Sequence, residues 1–237
     1  MNIVCVAAHQ DDIEVNCVGT LLKYRQKGNV NITNVVISNG DKGFQHHPST
    51  PYEEVTRVRN AEATRVAEAL GGRYICMGQP DEYIRDTDEA RNQLVDILRE
   101  AQADVVFTLP PVDYNTDHMV TSQIAFHAVM LAPVPTIFTD HEALATTPVM
   151  YYMDSAVAVE WQPTHYVDIS DVWEQKCELL RMHASQMLNA ERFGGLDLVK
   201  LSQIVGAYRG MQCRVEYAEG FKPVLSWPRI RAGSVLP

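Results

Sequence analysis

The 237-residue chain predicts an α/β protein, a mostly parallel sheet layered between helices on both faces, and three observations carry that prediction. Short apolar runs alternate with amphipathic segments along most of its length, the pattern of repeated strand–helix units. The runs are continuously apolar rather than alternating, as strands covered on both faces must be. Hydrophobic residues make up 46% of the chain and charged residues 21%, enough for a sizeable core and too apolar for disorder.

Residues 3–8, IVCVAA, read as a buried first strand, and residues 12–27 as a helix closed by Gly28. NITNVVIS (31–38) is a second strand ending at Asn39-Gly40. Residues 52–70 place Val55, Val58, Ala61, Val66 and Leu70 along one helix that stops at Gly71-Gly72. RYICM (73–77) is a third strand, 87–102 a helix, and DVVFTL (104–109) a fourth strand broken by Pro110-Pro111. A helix over 117–131 leads to PVMYYM (148–153); HYVDIS (165–170) is a sixth strand, followed by a helix over 171–188. With no repeat and no low-complexity linker, residues 1–237 are expected to form one domain. The proline-containing stretch 221–237 is expected to run as an extended tail over the surface or onto another subunit.

Composition narrows the function. Twenty Lys and Arg against 30 Asp and Glu give a net charge of −10, which disfavours nucleic acid and anionic membrane and favours a small-molecule substrate. The five cysteines form no C-x-x-C pair, so neither a disulfide framework nor a cysteine zinc site is expected. No basic segment precedes residues 3–8 and no apolar run nears membrane-spanning length, so a cytoplasmic protein is expected. Phosphate-binding glycine motifs are missing, which removes the usual support for nucleotide binding.

In open parallel sheets ligands sit at the carboxyl ends of the strands. There the chain puts His9-Gln10-Asp11-Asp12-Ile13-Glu14 after the first strand, Asn39 to Gly43 after the second, and Asp113-Tyr114-Asn115-Thr116-Asp117-His118 after the fourth. His9 and Asp12 are three apart where a strand becomes a helix, so both can aim at one point, and His118 would complete a His-Asp-His set. Three N/O donors with an open position suit a hydrolytic metal site, most often zinc; Fe2+ and Co2+ suit the same donors. Asp11 would be free to accept a proton from water. The alternative is that Asp11 and Asp12 merely cap the helix they open.

Ala8-His9-Gln10-Asp11-Asp12-Ile13-Glu14 resembles the A-H-P-D-D-x-E signature of the LmbE/PIG-L zinc-dependent N-deacetylases, and Asn115-Thr116-Asp117-His118 resembles their H-x-D-H. Asn39 to Gly43, Arg59-Asn60-Ala61-Glu62 and His183-Ala184-Ser185-Gln186 follow in the family's order, so the resemblance spans roughly residues 1–190. It implies a Rossmann-like LmbE fold, a homo-oligomer, and removal of an N-acyl group, often acetyl from an N-acetylglucosamine unit. His9, Asp12 and His118 would hold the metal, Asp11 would be the general base, Asp117 would orient an imidazole, and Arg59 would touch substrate. Asp41, Asp81 and His47 are further substrate-binding candidates, the last from a loop (41–52) that could form a rim or lid. Phe44, Tyr83 and Tyr114 could stack on a sugar or an acyl chain, and Lys42, Arg59 and Arg85 could form a basic patch. Two positions depart from the pattern. Gln10 replaces Pro, and Asn115 replaces the first His of H-x-D-H; an Asn can donate to an oxyanion but cannot deliver a proton. His46, His47, His165 and His183 are the imidazoles that could stand in.

Overall fold

The computed structural model describes residues 1–155, 161–190, 194–230 and 236–237. Its centre is a seven-stranded sheet of β1 (Asn2–Ala7), β2 (Asn31–Ser38), β3 (Arg73–Gln79), β4 (Val105–Thr108), β5 (Val149–Met153), β6 (His165–Asp168) and β7 (Ala218–Pro223), in the order β3-β2-β1-β4-β5-β7-β6. The first five strands are mutually parallel; β7 runs antiparallel between β5 and β6. The sheet is flanked by helices: α1 (Asp12–Asn16), α2 (Val18–Lys27), α3 (Tyr52–Ala69), α4 (Asp88–Glu100), α5 (Thr116–Leu131), α6 (Trp173–Arg181), α7 (Ala184–Met187) and α8 (Leu198–Cys213). This is the expected α/β layering. β1 lies centrally, with Ile3 paired to Ile32 on one side and Val105 on the other, and residues 3–8 are at most 1% exposed.

The strand order reverses between β1 and β4, so their carboxyl ends open a crevice at a topological switch point. The two segments that carry the expected metal ligands leave the sheet at that crevice.

Four expectations change. The helix over 12–27 is two helices, because Cys17 leaves helical geometry (φ −142°, ψ −14°). The break lets Glu219 of β7 accept hydrogen bonds from the free Gly19 and Thr20 amides at 2.9 and 2.7 Å, satisfying donors that a helix start leaves open. Gly19 is required there: a Cβ would meet Ile169 and Glu219 at under 3 Å. The helix over 171–188 is likewise split, into a 3-10 turn (Ser170–Val172), α6 and α7. α8 and β7 were not expected at all. Finally, the tail does not begin at Phe221, because residues 221–223 belong to β7 and Phe221 is fully buried; residues 231–235 of it lie outside those described.

Candidate metal centre

Burial anchors β1, and the chain must then turn sharply into α1. Asp12 closes that turn by accepting hydrogen bonds through Oδ2 from the backbone N–H groups of His9 (2.8 Å) and Ala8 (3.2 Å). Its other oxygen, Oδ1, faces His118 Nε2 at 3.3 Å. His118 arrives from the opposite side of the crevice, in the first turn of α5, where Asn115 caps the helix by accepting from Asp117 N at 2.7 Å. The side chain of Asp11 makes no capping bond, so neither carboxylate acts as the simple helix cap that the sequence left open.

Three donors therefore converge. His9 Nδ1 and His118 Nε2 are 3.2 Å apart, His118 Nε2 and Asp12 Oδ1 3.3 Å, and His9 Nδ1 and Asp12 Oδ2 3.5 Å. A tetrahedral ion with metal–ligand bonds of about 2.0–2.1 Å has ligand edges of about 3.3–3.4 Å. The two edges that share His118 Nε2 fit, and one donor atom from each of the three residues lies within 4.8 Å of the other two, so the His-Asp-His group could hold a metal ion. A second group, His9 with Asp81 and Glu82, also offers three nearby donors, but Asp81 is committed to Arg59 and Glu82 is exposed.

The outer nitrogens of both rings meet carboxylates. Asp81 Oδ1 lies 3.0 Å from His9 Nε2, with Asp117 Oδ2 at 3.6 Å, and Asp113 Oδ1 lies 3.2 Å from His118 Nδ1. A carboxylate behind a ligating imidazole fixes its orientation and raises its basicity. Asp117 is itself held by the Ile84 N–H at 3.1 Å. Burial works against charging His118, but Asp12 and Asp113 outweigh it and raise its pKa to about 9. His9 also overcomes burial and is raised, by hydrogen bonds to Asp117, Asp12 and Asp81. Asp12 is lowered despite burial, chiefly by His118. This imidazole–carboxylate cluster carries excess negative charge, suited to a cation.

The centre forms the floor of a cavity of about 390 Å3, at the small end of the roughly 300–1,000 Å3 usual for small-molecule sites. Asp11, Asn115 and Arg59 reach its wall. Arg59 is 3% exposed and donates to Asp11 Oδ1 (3.1 Å) and Asp81 Oδ2 (3.4 Å), so it is spent on holding two carboxylates. Asp81 itself lines the cavity. Asp41 stands behind the wall, accepting from Lys42 Nζ and Asp81 N. His47 is exposed in a neighbouring shallow depression with Phe44 and Thr50. The expected basic patch does not assemble, since Lys42 Nζ sits on Asp41 at 2.7 Å and Arg85 is not in the cavity lining. Of the expected stacking rings only Tyr114 lines the cavity, edge-on to His118.

None of the four stand-in imidazoles is in the lining. His183 is fully buried against Glu14 (3.3 Å), His46 bonds Asn189, His165 lies exposed on β6, and His47 is placed above. Sequence reasoning assigned no role to Asp113, although it stands two residues before the Asn115 cap. It also missed the three leucines at the start of α8, for which no local motif exists.

Fold and donors together define the class, a Rossmann-like α/β protein with a His-Asp-His group at its switch point that could hold a metal ion. A model of the PIG-L family, described as GlcNAc-PI de-N-acetylase, matches residues 4–129, more than half of the chain. The chain belongs to this family. It is 25% identical over 229 residues to diacetylchitobiose deacetylase of Thermococcus kodakarensis, covering 93% of this chain and 82% of that protein. It is 25% identical over 235 residues to 4-oxalmesaconate hydratase of Pseudomonas putida, covering 95% and 89%. Among solved structures, the 4-carboxy-2-hydroxymuconate hydratase of Pseudomonas putida superposes with a TM-score of 0.84 at 23% identity, over 98% of this chain and 99% of that one. The N,N'-diacetylchitobiose deacetylase of Pyrococcus horikoshii superposes with a TM-score of 0.82 at 24% identity, over 94% and 83%.

Proposed function

We propose that the protein is a zinc-dependent N-deacylase that hydrolyses an N-acyl amino sugar, acetylated amino sugars included, to a carboxylate and an amine. The observation that carries this reading is the His9–Asp12–His118 triangle with the unligated carboxylate of Asp11 beside it on the cavity wall. A divalent ion held by the triangle supplies a Lewis acid and makes water a stronger acid near neutral pH. Asp11, oriented by Arg59, accepts the proton of the attacking water. Asn115 has its Oδ1 engaged in the helix cap, which leaves its amide N–H to donate to the oxyanion that develops on the carbonyl. As the C–N bond breaks, Asp11 returns the proton to the nitrogen, since no spare imidazole lines the cavity. Water and amide thus become carboxylic acid and amine, and the acid's proton then passes to the more basic amine, giving carboxylate and ammonium with every proton accounted for.

The hydratase relatives raise a second chemistry on this fold, acting by name on a carboxylated muconate. The lining disfavours it here. Among the described residues of the lining, Asp11, Asp12, Asp81, Glu82 and Asp197 outnumber Lys42 and Arg59, and both of these cations are already paired rather than awaiting a substrate carboxylate. An acid-rich cavity suits a product amine that leaves protonated.

The test measures metal content and acetate release together, with N-acetylglucosamine and diacetylchitobiose offered to the zinc-reconstituted protein. About one ion per chain, lost in His118→Ala, and acetate release abolished in the same variant are the expected results. Full metal binding with no amine released from any N-acyl compound would overturn the hydrolase reading and leave a metal-dependent binding protein.

A further inference from the structure

The cavity has two chemically different sides. On one stand Asp81 and Glu82 after β3, Lys42 after β2 and Arg59 of α3, with Asp11 from the turn after β1. On the other, the start of α8 presents Leu196, Leu198 and Leu201, with Val15 of α1 beside them. All three leucines are only half-buried. Asp197 between them also lines the cavity, with its Oδ1 held at the cap of α8, where it accepts from Lys200 N at 2.8 Å.

Amide hydrolysis divides its substrate at the reacting bond into a half that leaves as a cation and a half that carries a hydrocarbon chain. The acidic side complements the first and the leucine side the second. The methyl of an acetyl group is too small to cover Val15 and all three leucines of the lining, which leaves apolar wall for a longer chain. Resting on the proposed hydrolysis, we infer that the wall formed by Leu196, Leu198 and Leu201 is an acyl-chain subsite, and that the preferred substrate carries butyryl to hexanoyl rather than acetyl.

The test uses the metal-loaded protein and two series of increasing chain length. N-Acetyl-, N-butyryl- and N-hexanoylglucosamine report turnover, and aceto-, butyro- and hexanohydroxamate report binding by calorimetry. Each buried methylene is worth about fourfold, so butyryl should exceed acetyl by about 16-fold in kcat/KM and in hydroxamate affinity. Leu201→Ala, and separately Leu198→Ser, should flatten both gradients; because each ratio is taken within one variant, a loss of folded protein cancels. A gradient in hydroxamate binding that Leu201→Ala removes, without turnover of any glucosamine, would uphold the subsite and sink amino-sugar hydrolysis. Turnover of the acetyl compound with flat or falling gradients would uphold hydrolysis and overturn the subsite. A gradient seen only with alkyl glycosides of N-acetylglucosamine, lengthened on the aglycone, would also overturn it.

Discussion

At the scale of single residues, the metal ligands depend on the groups behind them. Asp113 touches His118 at Nδ1 and is not among the residues that line the cavity. Asp113→Asn should therefore weaken metal affinity by roughly 10–100-fold, with kcat largely restored at saturating metal; a competition assay with a chelator reads the first and turnover at high zinc the second. Protonation gives a second expectation. His118 has its pKa raised to about 9, so in the metal-free protein the charged ring is the favoured form. That stabilisation is complete below the unfolded value of about 6.5 and is lost as pH rises through about 9. The metal needs the neutral ring, so metal affinity should climb over the same window, by about tenfold per pH unit for each proton displaced. Calorimetry in buffers of different ionisation enthalpy counts those protons, and a pH-independent affinity between 7 and 9 would contradict the assignment.

At the scale of elements, Asn115 holds two jobs that substitution can separate. As the cap of α5 it contributes about 1 kcal/mol, and as a donor to the developing oxyanion it should contribute roughly 10^2–10^3 in kcat. Asn115→Asp keeps the capping oxygen and removes the donor, so Tm should hold while kcat falls; Asn115→Ala should lose both. Equal kcat in the wild type and Asn115→Asp would leave Asn115 with the cap alone. The same elements show what could be read from sequence. The strands around the site were legible because burial on both faces demands unbroken apolar runs, and the triangle was legible because both of its segments follow such strands directly. The break at Cys17 was not, since its cause, Glu219, is about 200 residues away. α8 was hidden because its apolar residues are spread around the helix without a stripe and it contains Gly206 and Gly210. β7, AEGFKP, has the composition of a turn and becomes a strand only because β5 and β6 pair with it on either side.

At the scale of the whole molecule, one buried contact ties the last strand to the region of the first. Lys176 Nζ of α6 donates to Glu219 Oε1 at 2.7 Å and to the Val15 carbonyl at 2.7 Å, and both side chains are under 5% exposed. Glu219→Gln leaves the Lys176 ammonium without its counter-charge, which should cost about 3–5 kcal/mol. Replacing both by apolar residues of similar size, Lys176→Met with Glu219→Leu, should recover much of that loss; denaturant unfolding of the three proteins measures it. A double variant no more stable than Glu219→Gln would mean that the α2 amides, rather than the ammonium, carry the energy.

That strut also has an order in time. His118, the last of the three donors, is synthesised roughly a hundred residues before Glu219, and His9 and Asp12 roughly two hundred; the shorter interval is about 5–20 seconds at about 5–20 residues per second. During it the emerging chain already displays every donor of the centre, while the helix next to the site lacks the carboxylate that closes its open end. A nascent chain paused before residue 218 thus carries all three donor residues while the start of α2 still waits for the carboxylate that caps it.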